Sequence, residues 1–179
     1  IDLGAYGNLI APVQVEGNWY YFWDRSGDGT SSDSGTLNGG LDYTTHDVLN
    51  TIFSQDINGV TGGGGSTTDT YRYATLNSVH LALPTVGLAG NSSGAIPVGT
   101  AVDNGAQTNT RYDDLLAVWD ANNGSGTGTN LNGTPVGWQE STYWSASLGT
   151  LGHTFVDITI GNYDSVYDRY NGYVALQVL

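Results

Sequence analysis

Gly62-Gly63-Gly64-Gly65 interrupts any helix or strand, because glycine loses more backbone freedom on ordering than any other residue. Four stretches, 24–40, 55–69, 87–110 and 122–137, are likewise dominated by Gly, Asn, Asp, Ser and Thr. Only short elements fit between them. Stretches as long as 87–110 are unusual inside a compact domain unless they serve a function or are disordered. With 179 residues the chain still has enough length for one domain with a real core. Hydrophobic residues at 39% and charged residues at 12% fit neither a disordered acidic tail nor a membrane protein.

Apolar patterning places the elements. Leu9–Val15 and the aromatic run Asn18–Trp23 read as strands. Thr44–Phe53 reads as a short helix with Thr44 as N-cap, Asp47 at the third helical position, and Val48, Leu49, Ile52 and Phe53 on one face. Tyr71–Thr75 and Val79–Leu83 follow as strands, and Pro84 stops the second. Arg111–Ala121 is a second helix with Leu115, Leu116 and Trp119 on its buried stripe. Thr142–Ser147 is a strand, and His153–Ile160 alternates, with Thr154, Val156, Ile158 and Ile160 on one side. Gly161-Asn162 is a two-residue turn signal before Tyr163–Tyr167. Tyr173–Leu179 closes the chain as an apolar strand expected to pair with the N-terminal one. The expected class is α+β: one domain spanning 1–179, with antiparallel sheet, two short helices and long loops. There is no signal peptide and no apolar run of transmembrane length, and the start at Ile1 without an initiator Met reads as an excerpt or a processed piece.

Charge narrows the chemistry. The formal net charge is −13, and fifteen of the seventeen acids are Asp, leaving only Glu16 and Glu140 as Glu. All four bases are arginine (Arg25, Arg72, Arg111 and Arg169), and there is no lysine, cysteine or methionine. Schiff-base chemistry, a P-loop lysine, nucleic-acid backbone binding, disulfides, zinc-thiolate sites and cysteine nucleophiles are thereby excluded. So acidic a surface repels itself unless counter-ions bind. Aspartate is both a turn former and a common calcium ligand.

The strongest local motif is Asp24-Arg25-Ser26-Gly27-Asp28-Gly29-Thr30-Ser31-Ser32-Asp33. Asp24, Ser26 and Asp28 place oxygen at alternate positions before a glycine, as in the first half of a calcium loop, with Thr30 offering its carbonyl and Asp33 closing the set. No closing Glu or flanking helices complete an EF-hand, and a solvated Asx-turn loop accounts for the same residues. Asp120 with Asn122 and Asn123 is a second oxygen cluster, at a helix C-terminus where a carboxylate is electrostatically misplaced; a bound cation explains that placement, although an exposed Asp there is only mildly unfavourable. The pair Asp113-Asp114 suits macrodipole capping, and Asp114 is also a ligand-contact candidate. Of the aromatics, Trp138 and Trp144 are the ligand-binding candidates beside their default role in the core. His153 joins them, although histidine without paired metal spacing is more often a structural hydrogen-bonder. No Gly-x-Ser-x-Gly elbow or H-E-x-x-H exists, so an enzyme is not expected.

Five runs together resemble the peptide-binding domain of giant calcium-dependent RTX adhesins. They are Tyr20–Gly29, Asp42–Leu49, Asp114–Asp120, Tyr143-Trp144-Ser145-Ala146 and Tyr173–Leu179. The resemblance spans essentially the whole chain. It implies an extracellular module on the surface of a Gram-negative bacterium, near the distal end of a long fibre. It also implies calcium-dependent capture of the free C-terminus of peptides on other cells, supporting mixed biofilms. The order Leu83-Pro84-Thr85 … Tyr143-Trp144-Ser145 is similar to C-type-lectin-like folds. The alternative function is a calcium-dependent lectin, in which vicinal sugar hydroxyls occupy the same open calcium positions; a structural spacer stiffened by calcium is the next, and a hydrolase the last. The expected partner is a peptide or protein carboxylate, with no nucleic acid, no membrane insertion and a monomeric module.

Overall fold

The computed structural model describes residues 1–31, 49, 52–53, 73–86, 93–95, 114–122, 132–148, 153–165, 167 and 170–179. After a 3-10 turn at Gly4–Tyr6 come β1 (Asn8–Val15), β2 (Asn18–Asp24), β3 (Tyr73–Leu76), β4 (Val79–Ala82), β5 (Ser93–Ala95) and α1 (Asp114–Ala121). They are followed by β6 (Thr142–Leu148), β7 (His153–Asp157), β8 (Asn162–Ser165) and β9 (Ala175–Val178). A five-stranded sheet has the order β1-β2-β9-β4-β3, and a four-stranded sheet the order β5-β8-β7-β6. Every ladder in both sheets is antiparallel. The class is α+β, and among the described residues no helix is long and apolar enough to cross a membrane.

The closing strand sits elsewhere than expected. β9 pairs with β2 on one side and β4 on the other, not with β1. Two features of β1 explain this. Its inner side is taken by β2 through the tight turn at Glu16-Gly17, both at positive φ (50° and 81°). Its ladder is broken between Ile10 and Val13, where Ala11 adopts φ 48° and Pro12 has no N–H to offer.

Other boundaries shift for local reasons. The strand at 153–160 ends at Asp157, whose Oδ1 accepts the Thr159 N–H at 2.9 Å while its carbonyl accepts Gly161 N–H at 3.0 Å. The turn is thus wider than Gly161-Asn162; Asn162 already pairs with Asp157, and Ile160 is exposed. Within the expected loop 87–110, Ser93–Ala95 forms β5 by pairing with β8. The described part of α1 begins at Asp114 and buries Leu115, Leu116, Val118 and Trp119. Of the first expected helix only Leu49, Ile52 and Phe53 are described; Phe53 N–H donates to the Leu49 carbonyl at 2.9 Å, and both side chains are buried. Thr44 and Asp47 lie outside the described residues.

Alternation along the strands feeds two apolar clusters. One holds Tyr20, Phe22, Leu116, Trp119, Trp138, Tyr143, Val156 and Ala175. The other holds Leu9, Trp23, Phe53, Leu81, Trp144 and Leu176. The sheets meet at Tyr173, which bridges Tyr143 in parallel sense. Tyr173 N–H donates to the Thr142 carbonyl and Trp144 N–H to the Tyr173 carbonyl, each at 3.0 Å. The 84–86 segment is knitted to β6 as well: Ala146 N–H bonds the Pro84 carbonyl at 2.8 Å and Val86 N–H the Ser147 Oγ at 2.9 Å. The two runs Leu83-Pro84-Thr85 and Tyr143-Trp144-Ser145 are therefore neighbours in space.

Candidate functional site

β2 runs straight into the Asp24 loop, and its last side chain turns inward. Asp24 is fully buried and its Oδ1 accepts the Ser26 hydroxyl at 3.1 Å and Gly27 N–H at 2.9 Å. Its Oδ2 accepts Gly29 N–H at 2.9 Å. Gly27 and Gly29 have φ 73° and 83°, left-handed conformations that turn their amides toward the carboxylate. The loop is also pressed against the N-terminal turn. A Cβ on Gly7 would fall against the carbonyl oxygens of Asp24 and Arg25, so only glycine allows that approach. Beside it the buried Arg25 guanidinium lies 5.4 Å from the Trp23 ring centroid, a cation–π distance.

Asp28 points the other way. It is exposed, and its Oδ1 accepts both the Thr30 N–H at 2.9 Å and the Thr30 hydroxyl at 2.7 Å. The Thr30 hydroxyl, then the Thr30 amide, and more weakly Ser26, hold this carboxyl below the ordinary aspartate value, outweighing a small opposing effect of burial. The loop thus separates two roles that look alike in sequence: a buried carboxylate that shapes it and an ionised one presented to solvent. Asp28, with the oxygens of Ser26 and Thr30 beside it, is the part able to meet a cation. Asp33 lies outside the described residues. Among the described residues no three of Asp, Glu and His come together.

The remaining candidates are dispersed. Asn122 caps α1: its Nδ2 donates to the Val118 carbonyl at 2.7 Å, and its backbone N–H reaches the Val118 and Trp119 carbonyls. Asp120 is half-buried on the last turn of that helix. Asp114 is buried in the first turn, where the Tyr20 hydroxyl donates to its Oδ1 at 3.1 Å and ties α1 to β2. His153 is half-buried at the start of β7. Trp138 is 5% exposed, lies tilted against Tyr143 with ring centroids 5.4 Å apart, and donates its indole N–H to the Ala11 carbonyl at 2.8 Å. Trp144 is 1% exposed in the other cluster, edge-on to Phe155. The structure therefore brings Asp24, Ser26, Asp28 and Thr30 together and leaves Trp138, Trp144, Asp114, His153, Asp120 and Asn122 apart from them. A ligand would touch either tryptophan only after its cluster unpacked.

Sequence reading missed the kink that receives Trp138. Ala11 in the left-handed region turns its carbonyl out of the ladder toward the indole. Pro12 inside an apolar strand was the available signal, because proline in a strand marks an edge or a bulge. The sequence placed Tyr143 in a strand without showing its buried bond: its hydroxyl donates to the Gln139 carbonyl at 2.9 Å, and burial drives its pKa up, so it stays neutral. No family model, no characterised protein and no solved structure matches this chain.

Proposed function

We propose that this chain is a calcium-dependent binding module of a bacterial surface adhesin that captures peptides by their free C-terminal carboxylate. The observation that carries the reading is Asp28: an exposed, ionised carboxylate on a loop pinned by Asp24, in a chain of net charge −13 with four arginines. Calcium held there by carboxylate, hydroxyl and carbonyl oxygens, with one coordination position filled by water, is a natural acceptor for a ligand carboxylate. Direct association of two anionic partners is disfavoured without such a bridge. The module binds and releases; it carries out no reaction. The α+β architecture suits a C-type-lectin-like scaffold, in which short elements hold long ligand-bearing stretches. The resemblance to giant RTX adhesins supports an extracellular, cell-surface setting and a monomeric unit within a fibre.

Calorimetry with one short peptide tests this in three conditions: free acid with calcium, C-terminal amide with calcium, and free acid with chelator. Only the first is expected to show heat. Equal binding of the amide rejects the carboxylate mechanism. Heat from simple sugars in place of peptides moves the function to a lectin, and no heat from either leaves a spacer.

A further inference from the structure

From the contrast among three similar dipeptides, we infer that Asn171-Gly172 is a site of spontaneous deamidation that acts on the join between the two sheets. The reaction needs the backbone nitrogen of the following residue to attack the side-chain carbonyl carbon, and glycine there offers the least hindrance. The amide nitrogen leaves as ammonia, the glycine N–H gives up its proton to solvent, and a cyclic imide forms. Water then opens the imide at either carbonyl, giving aspartate or isoaspartate. Water is the only co-reactant.

Among the described residues, Asn132-Gly133 and Asn171-Gly172 have the required sequence, and Asp28-Gly29 is the related pair that closes the same imide by losing water instead of ammonia. In Asp28-Gly29, Gly29 N–H is held by Asp24 Oδ2 at 2.9 Å, and the Asp28 carboxylate is engaged by Thr30. In Asn132-Gly133, Gly133 N–H donates to the Ile158 carbonyl at 2.9 Å. The Asn132 side chain is fixed at both ends, Nδ2 to Glu140 at 2.7 Å and Oδ1 from Thr134 N–H at 2.9 Å. Nucleophile and target are both tied down. Asn171 is exposed and Gly172 buried, as Asn132 and Gly133 are, but among the described residues neither the Asn171 side chain nor the Gly172 N–H makes a hydrogen bond.

The position gives the reaction a structural effect. Gly172 is crowded by the Trp144 indole, with Nε1 2.8 Å from where a Cβ would stand. The next residue, Tyr173, makes the backbone bonds that join the sheets. Isoaspartate at 171 inserts a methylene into the main chain immediately before this junction and adds a negative charge to a chain already at −13.

The test incubates the folded full chain at mildly alkaline pH and maps peptides by mass spectrometry, separating aspartyl from isoaspartyl products. Asn171 is expected to convert faster than Asn132 by about tenfold or more, the scale on which a local opening equilibrium protects a site. In denaturant the two rates should come together. Aged wild type should melt earlier than fresh protein, whereas aged Asn171→Gln should not. Equal conversion at 171 and 132 in the folded chain overturns the inference. So does a preference for 171 that is just as large in denaturant, or a loss of stability on ageing that Asn171→Gln does not prevent.

Discussion

Replacing Asp24 by alanine removes a fully buried carboxylate that accepts three hydrogen bonds, from Ser26, Gly27 and Gly29. Net contributions of bonds to a charged acceptor are about 1.5–3 kcal/mol each when the donors stay buried. Here Ser26, Gly27 and Gly29 are themselves exposed, so water replaces part of what is lost. A total near 3 kcal/mol follows, below the simple sum of the bonds. For a domain of this size that lowers Tm by roughly 6–12 °C. The assay is thermal and urea unfolding of wild type and Asp24→Ala, both in chelator, so that loop architecture is read separately from ion binding. Backbone amide exchange at Gly27 and Gly29 should accelerate in the variant. Adding millimolar calcium should raise the wild-type Tm through linkage and the variant Tm far less. A variant within about 0.5 kcal/mol of wild type in chelator, the usual range of neutral surface changes, would show that the carboxylate does not organise the loop.

Three further outcomes are expected. The Asp28 carboxyl should titrate by NMR below an ordinary aspartate, and Thr30→Val should bring it back up, since the Thr30 hydroxyl is the first cause of the shift. A pKa depressed in the folded state adds stability above the unfolded value and loses it as pH falls through the folded one, so acid should loosen this loop. Glu16→Asn should stabilise the protein by about 0.5–1 kcal/mol, read by urea midpoint, because Glu16 occupies a left-handed position (φ 50°) that asparagine tolerates better. Trp138→Phe should cost about 1–3 kcal/mol by the same measure, since it shrinks the buried indole to a phenyl ring and removes the bond to the Ala11 carbonyl.

Local patterns in the sequence disclosed the elements better than their partners. The runs flanking Glu16-Gly17 and the stripe of Leu115, Leu116 and Trp119 are legible because each buried face is written in contiguous residues. Ser93-Gly94-Ala95 has no apolar pattern and is a strand only because β8 supplies its hydrogen bonds. The place of β9 between β2 and β4 depends on sheet order, which no window of sequence contains. At the candidate site, spacing found Asp24 and Asp28 but not their difference. An alternating oxygen pattern describes a carboxylate that gathers its own loop amides as well as one that faces a cation. The tryptophans gave a similar ambiguity: each is buried, Trp138 in one cluster and Trp144 in the other.

The position of β9 bears on how the chain reaches its folded state. Hairpins β1–β2 and β3–β4 are local in sequence, and such units form in about 1–10 μs. Their facing edges, on β2 and β4, stay open until 175–178 slots between them from far along the chain. Loop closure over that separation places the slow step in the millisecond-to-second range common for non-local sheets. During that interval the open edges offer the same hydrogen-bonding groups to any neighbouring molecule. Refolding yield should consequently fall as protein concentration rises, because a four-residue strand of the same chain competes with the edges of others for one slot.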